Sequence, residues 1–265
     1  MSIDVFGTNQ MTRVIDGAAS CAARWDCPPK ALKLQGDEAH VWLAPLDEEN
    51  TAGLLQIISE DERTRAERFQ LEKDKRRFIA ARGLLRVFLG KYLEMNPGEI
   101  RFGYARYGKP FIAGNWPIPI KFNLSHSNDL ALFAFTLNRE IGVDLESIKP
   151  SWVDEGIINY CLTRRETKFI RALTGNDRDS FFFDCWTLKE AYLKACGTGL
   201  SLPANQIETS LPAEFSIDLP QLCSGSRQSL WSFQKLPAIP GSAAALAIEG
   251  SNPQWRFWRH QPSGQ

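Results

Sequence analysis

The groups in this 265-residue chain best equipped for chemistry are carboxylates at short, regular spacings. Ile141-Gly142-Val143-Asp144-Leu145-Glu146 alternates apolar and acidic, so as a strand it carries Asp144 and Glu146 on one face. Trp186-Thr187-Leu188-Lys189-Glu190-Ala191-Tyr192-Leu193-Lys194 reads at helical period. Trp186, Tyr192, Leu193 and Cys196 form an apolar stripe, and Glu190 and Lys194 stack four apart. Three converging carboxylates repel and raise one another's pKa unless a cation sits between them. A hard divalent ion bound by few protein oxygens, leaving positions for water and phosphate, is how Mg2+ usually meets nucleotide-like substrates. Each pattern alone has a plainer alternative: the wet face of a half-exposed strand for Asp144 and Glu146, a solvated helix pair for Glu190 and Lys194.

The elements that must position these groups follow from pattern and punctuation. Residues 1–36 carry Gly, Pro, Ala and Ser without a sustained period and read as an extension or capping arm. A short strand is expected at 40–46. Ser59-Glu60-Asp61-Glu62 is a capping box that opens helical sequence bearing Arg63, Arg65, Arg68, Lys73, Lys75, Arg76, Arg77, Arg82 and Arg86. That run is either a solvated face balanced by Glu67, Glu72 and Asp74 or an anion site. Strands are expected at 100–104, 120–124, 130–137 and 141–146, with a turn at Tyr107-Gly108-Lys109-Pro110 and a polar cluster, Ser125-His126-Ser127, ending the second of them. Thr163-Arg164-Arg165-Glu166 is a second capping box, whose helix should break at Gly175-Asn176-Asp177. Gly197 and Gly199 stop the helix that carries Glu190. Later β segments are expected at 214–219, 229–233, 243–248 and 255–258.

Ser59-x-x-Glu62 followed by Phe78-x-x-x-Arg82-x-x-Leu85-Arg86 is similar to Thr163-x-x-Glu166 followed by Trp186-x-x-x-Glu190-x-x-Leu193-Lys194. The two are diverged copies of one α+β unit, with a ligand site at their interface, or coincidentally alike amphipathic helices.

Composition narrows the field. Lys+Arg and Asp+Glu both number 31, so no global charge points to nucleic acid or an anionic membrane. The six cysteines form no C-x-x-C pair, and Cys185 and Cys196 read as buried free thiols. No signal-like leader and no apolar run near the roughly 20 residues of a membrane span is present, so a reducing cytoplasm is expected.

Phe122-Asn123-Leu124-Ser125-His126-Ser127, the Asp144–Glu146 strand and the Trp186–Lys194 helix, in this order, resemble the Sfp-type 4'-phosphopantetheinyl transferases. That family's pattern is N-[IL]-S-H-S, G-[IV]-D-[IVL]-E and W-x-x-K-E-[AS]-x-x-K, and the resemblance runs from about Ser59 to Leu200. It implies an α+β pseudo-dimer of two similar α/β halves with the active site at their interface. The divisions are 1–36 extension, 37–139 N-terminal half with coenzyme A phosphate and adenine contacts, 140–260 C-terminal half with the metal site and catalytic helix, and 261–265 tail.

The activity implied is Mg2+-dependent transfer of the phosphopantetheine arm of coenzyme A to a serine of an apo acyl or peptidyl carrier protein, by a monomer, with neither nucleic acid nor membrane as partner. The resemblance puts the metal on Asp144, Glu146 and Glu190, makes Glu190 also the base, and sets Lys194, His126 and Ser125 on phosphate oxygens. Lys189 and Lys109 are implied coenzyme A contacts, the latter in the adenine loop. Arg63, Arg65 and Arg77 lie where cations meet the 3'-phosphate, with Arg82 a further candidate; Glu62 stands where some relatives carry a lysine. Trp152, Ile157, Ile158, Arg164, Arg165 and Lys168 are candidates for the carrier surface. Two other readings of the same residues are a metal-dependent nucleotide or coenzyme A pyrophosphate hydrolase and a non-catalytic carrier-binding module.

Overall fold

The structure is a computed structural model that describes residues 24–46, 51–199, 202–210, 217–218 and 230–261. The first 23 residues, most of the strand expected at 214–219 and the tail past 261 lie outside the described residues.

Alternating and continuous apolar runs build two sheets of the same design. Strand β1 (Glu38–Pro45) pairs antiparallel with β5 (Leu130–Leu137), which pairs antiparallel with β4 (Ile120–Ser127). Short antiparallel ribbons accompany each sheet: β2 (Phe102–Tyr104) with β3 (Pro110–Ile112), and β7 (Glu208–Thr209) with β8 (Ile217–Asp218). In the second sheet β6 (Ile141–Ser147) pairs antiparallel with β10 (Ser242–Glu249), and β10 with β9 (Trp231–Lys235). Both sheets therefore order their strands first, third, second.

The helices repeat as well. The first half holds α1 (Thr51–Ile57), α2 (Glu60–Ala66) and α3 (Glu72–Leu93); the second holds α4 (Glu155–Cys161), α5 (Arg164–Ile170) and α6 (Gly175–Cys196). Their lengths are 7, 7 and 22 residues in each case. Both expected capping boxes form, at Ser59 with Glu62 and at Thr163 with Glu166. The two-half α+β design is thus a duplication, but its register differs from the sequence alignment. The long helices begin 103 residues apart (72 and 175), so Arg86 corresponds to Lys189 rather than to Lys194, about one turn away. Gly175, expected to break a helix, instead opens α6 at φ 55°, turning the chain into it.

Strand alternation decides the layers. Trp42, Phe133 and Phe135 pack on Leu85, Phe88 and Leu89 of α3. On the opposite face Val41, Leu43, Leu132 and Ala134 meet Val143, Leu145, Leu246 and Ile248 of the second sheet. Ala245, Ala247 and Trp231 on the far side pack on Leu188, Ala191 and Tyr192 of α6. The order is helix, sheet, sheet, helix, with a core shared between the halves.

The sheets also meet edge to edge. Asn123 Oδ1, Ser125 Oγ and Ser127 Oγ accept the backbone N–H groups of Val143, Leu145 and Ser147 at 2.9, 3.3 and 3.0 Å. The polar cluster expected to end a strand is therefore its continuation, and its alternate side chains replace a main-chain ladder.

The last strand departs from the expected partition at 140–260. Strand β11 (Gln254–Arg259) leaves the second half and pairs parallel with β1, in register from Glu38 with Gln254 to Leu43 with Arg259. The described end of the N-terminal extension caps this new edge, Asp26 N–H donating to Phe257 O and Arg259 N–H to Asp26 O. Among the described residues no helix is long and apolar enough to cross a membrane. The described cysteines are free; Cys161 and Cys185 are buried, and burial pushes both thiols up to about 12, while Cys196 is only half-buried.

Candidate active site

Close approach of α6 to β6 makes the site. A Cβ on Gly142 would stand 1.9 Å from Ala191 O and 2.4 Å from Ala195 N, so only glycine lets the helix lie this near the strand. Gly142, Asp144 and Glu146 share that face, and two and four residues beyond the glycine the acids meet the next turns of α6. Lys194 Nζ donates to Asp144 Oδ1 at 2.6 Å and to Ser125 Oγ at 2.9 Å. Ser125 in turn donates to Asp144 Oδ1 at 3.0 Å. Asp144 is 2% exposed, and its Oδ2, like Glu190 Oε1, is buried without a hydrogen-bond partner.

Electrostatics follow from this crowding. Burial first, then the charge of Asp144, pushes Glu190 up to about 7, with Lys194 opposing. Burial and Asp144 likewise push Glu146 up to about 7, against Lys194 and a hydrogen bond from Trp186, with Glu190 adding to the rise. His126 faces solvent on β4. Although the residue is exposed, partial desolvation of its ring, then the charges of Lys194 and Arg77, lowers its pKa below the ordinary imidazole value.

These observations bring Asp144, Glu146, Glu190, Lys194, Ser125 and His126 to one seam between the halves, with Arg77 close by. Among the described residues no three His, Cys, Asp or Glu side chains stand close enough to enclose an ion by themselves. The two orphaned oxygens are hard anionic donors, a set that suits a divalent cation completing its shell with water and phosphate.

Other expected contacts are spent elsewhere. Lys189 is fully buried and donates to Glu166 Oε2 at 2.5 Å and Cys161 O at 2.8 Å, so it is the counter-ion of the second capping glutamate and not a coenzyme A ligand. Arg82 is also internal, bonded to Glu62 Oε1 at 2.5 Å and lying on the Phe102 ring beside Arg86. Glu62 thus neutralises two buried guanidiniums. The three protons of the Lys109 ammonium go to Glu140 Oε2, Ile141 O and Ala195 O, a clamp from the β2–β3 ribbon onto the end of α6 rather than a free cation. Arg77 pairs with Asp74 and Asp129, Arg65 lies over Phe78, and Arg63 donates to Gln56 O, each of them engaged away from Asp144, Glu146 and Glu190.

On the expected carrier surface Ile158 is fully buried in the core beneath α4, while Trp152, Arg164, Arg165 and Lys168 are exposed and Ile157 is half-buried. The motif read from the sequence included Asn123 and Ser127 but not their contacts to β6, for which the two-residue spacing with Ser125 was the available signal; the exposed rings of Tyr160 and Phe169 were not among the expected carrier-surface residues.

The duplication leaves a counterpart of this site in the first half. Trp42 pairs with Phe133 as Asp144 pairs with Ala245, and Lys91, 103 residues before Lys194, lies 5.8 Å over the Trp42 ring.

Comparison with known proteins assigns each half. Residues 42–138 match the family described as "4'-phosphopantetheinyl transferase, N-terminal", and residues 140–248 match the 4'-phosphopantetheinyl transferase superfamily. The second match ends just before the chain returns to the first sheet. The chain is 37% identical over 239 residues to the 4'-phosphopantetheinyl transferase HetI of Nostoc sp., covering 89% of this chain and 98% of HetI. It is 31% identical over 215 residues to the putative 4'-phosphopantetheinyl transferase slr0495 of Synechocystis sp., covering 81% and 83%. With 4'-phosphopantetheinyl transferase Sfp of Bacillus subtilis it shares 30% identity over 179 residues, covering 66% and 77%. The chain belongs to the 4'-phosphopantetheinyl transferase family.

Proposed function

We propose that this chain transfers the 4'-phosphopantetheine group of coenzyme A to a serine hydroxyl of an apo carrier protein, giving holo-carrier and 3',5'-ADP. The observation that carries this reading is the meeting of Asp144, Glu190 and Lys194 at the seam of two halves that each match the family.

The serine oxygen attacks the phosphorus bearing the pantetheine arm, and the bond from that phosphorus to the oxygen of the departing 3',5'-ADP breaks. Glu190, beside Asp144 and Lys194, takes the serine proton. Lys194 holds a phosphate oxygen with a movable point charge. His126 lends an N–H to phosphate, and the nearby Arg77 adds positive potential. Asp144 and Glu190 would hold Mg2+ through their unpartnered oxygens, with Glu146 adjoining. When bound, that ion neutralises charge on the pyrophosphate and on the leaving phosphate. Because both halves lie in one chain, a single copy carries the whole cluster, and we read the working form as a monomer.

The test is intact-mass measurement of an apo carrier protein after incubation with this chain, coenzyme A and Mg2+, with and without EDTA. A gain of one phosphopantetheine that EDTA suppresses supports the reading. Asp144→Ala should lower the rate by roughly a thousandfold or more through loss of a metal ligand. Consumption of coenzyme A with unmodified carrier would replace transfer with hydrolysis.

A further inference from the structure

The two oxygens of Asp144 have unlike surroundings. Oδ1 takes Lys194 Nζ and Ser125 Oγ, whereas Oδ2 is buried with no hydrogen-bond partner, as is the neighbouring Glu190 Oε1. The ammonium rests in a prepared cradle. Ser125 Oγ accepts from it at 2.9 Å and also accepts the Leu145 N–H, which fixes the hydroxyl between strand and lysine. Mobility is just as unequal: the Asp144 side chain is 2% exposed, but that of Lys194 is 31% exposed and sits on a flexible stem. The carboxylate is fixed and its cation can leave.

We infer that Lys194 is a resident counter-ion that keeps a divalent metal off Asp144 until a pyrophosphate-bearing substrate draws the ammonium away, so that metal and substrate bind synergistically. The inference rests on the transferase reading above. A divalent ion on Oδ2 would share one carboxylate with an ammonium, and like charges that close in a buried site repel with little screening. Two negative phosphates beside the seam offer the lysine an alternative partner. Its departure restores the full charge of Asp144 to the metal. By linkage, the metal must then strengthen substrate binding by the same factor by which the substrate strengthens metal binding.

The experiment is Mn2+ titration of the intact protein, followed by electron paramagnetic resonance, with and without coenzyme A. The proteins compared are wild type, Lys194→Met, Lys194→Gln and Lys194→Arg. Lys194→Gln keeps a donor for Asp144 and stands in if the methionine variant fails to fold. Coenzyme A should tighten Mn2+ binding to wild type on the order of tenfold or more. The two neutral variants should bind Mn2+ about tenfold tighter than wild type when coenzyme A is absent, with little further gain when it is added. Lys194→Arg should behave like wild type. If neither neutral variant binds Mn2+ more tightly than wild type in the absence of coenzyme A, the counter-ion role is overturned, while carrier modification by wild type would leave the transferase reading intact. If wild type binds no Mn2+ even with coenzyme A, the counter-ion role and the metal site both fall.

Discussion

Glu146 and Glu190 hold their protons to about pH 7 instead of 4.5, and both shifts begin with burial. The folded protein therefore binds these protons more tightly than the unfolded chain. Their contribution to stability is complete below about pH 4.5 and is lost as pH rises through about 7. A cation that competes for the same oxygens reverses the trend. Addition of Mg2+ should raise the melting temperature more at pH 8 than at pH 6, and Glu190→Gln should remove most of that gain. Calorimetry at the two pH values checks it; an equal Mg2+ effect at both would separate the ion from these carboxylates.

At the scale of elements, the contact between β6 and α6 is set by one missing side chain. Gly142→Ala must move the helix off the strand, because backbone atoms stand where the methyl would go. The expected cost is about 1–3 kcal/mol, with a larger loss of activity as Lys194 and Glu190 shift from Asp144. Denaturant unfolding and transfer assays on the same variant would separate the two. Glu166 anchors the other side of α6 through Lys189, Thr209 and its own cap. Glu166→Ala leaves a buried ammonium unpaired and should destabilise by about 3–5 kcal/mol, which urea unfolding would register.

Much of this scale was legible in the sequence. The capping boxes, the alternating acids of β6 and the glycine stop of α6 are local signals set by chain periodicity, and all of them form. What stayed hidden depends on the fold. Lys189, Arg82 and Lys109 look like available cations in one dimension, and only packing reveals the glutamates and carbonyls that already use them. The strand that carries Ser125 and Ser127 runs past its expected end at 124, because their partners 20 residues away belong to another sheet.

For the whole molecule, the return of β11 to β1 binds the two halves into one folding problem. A chain ended at residue 249 loses the strand covering that edge, and should melt well below the full chain and associate through the bared edge of β1. Scanning calorimetry and sedimentation of the truncated protein give the answer; an unchanged melting temperature would make β11 an ornament.

The Trp42–Lys91 pair adds a lesson about descent. The two halves share one blueprint, and at corresponding positions one has an acid beside its lysine and the other an indole. At this position the first copy is structural, Trp42 lying fully buried in the core between sheet and helix. Damage should divide along that line: Trp42→Ala would give a protein that fails to hold together, and Asp144→Asn one that folds and melts normally yet does no work. Two mutations at one ancestral position would then report separately on what the duplication kept for strength and what it kept for catalysis.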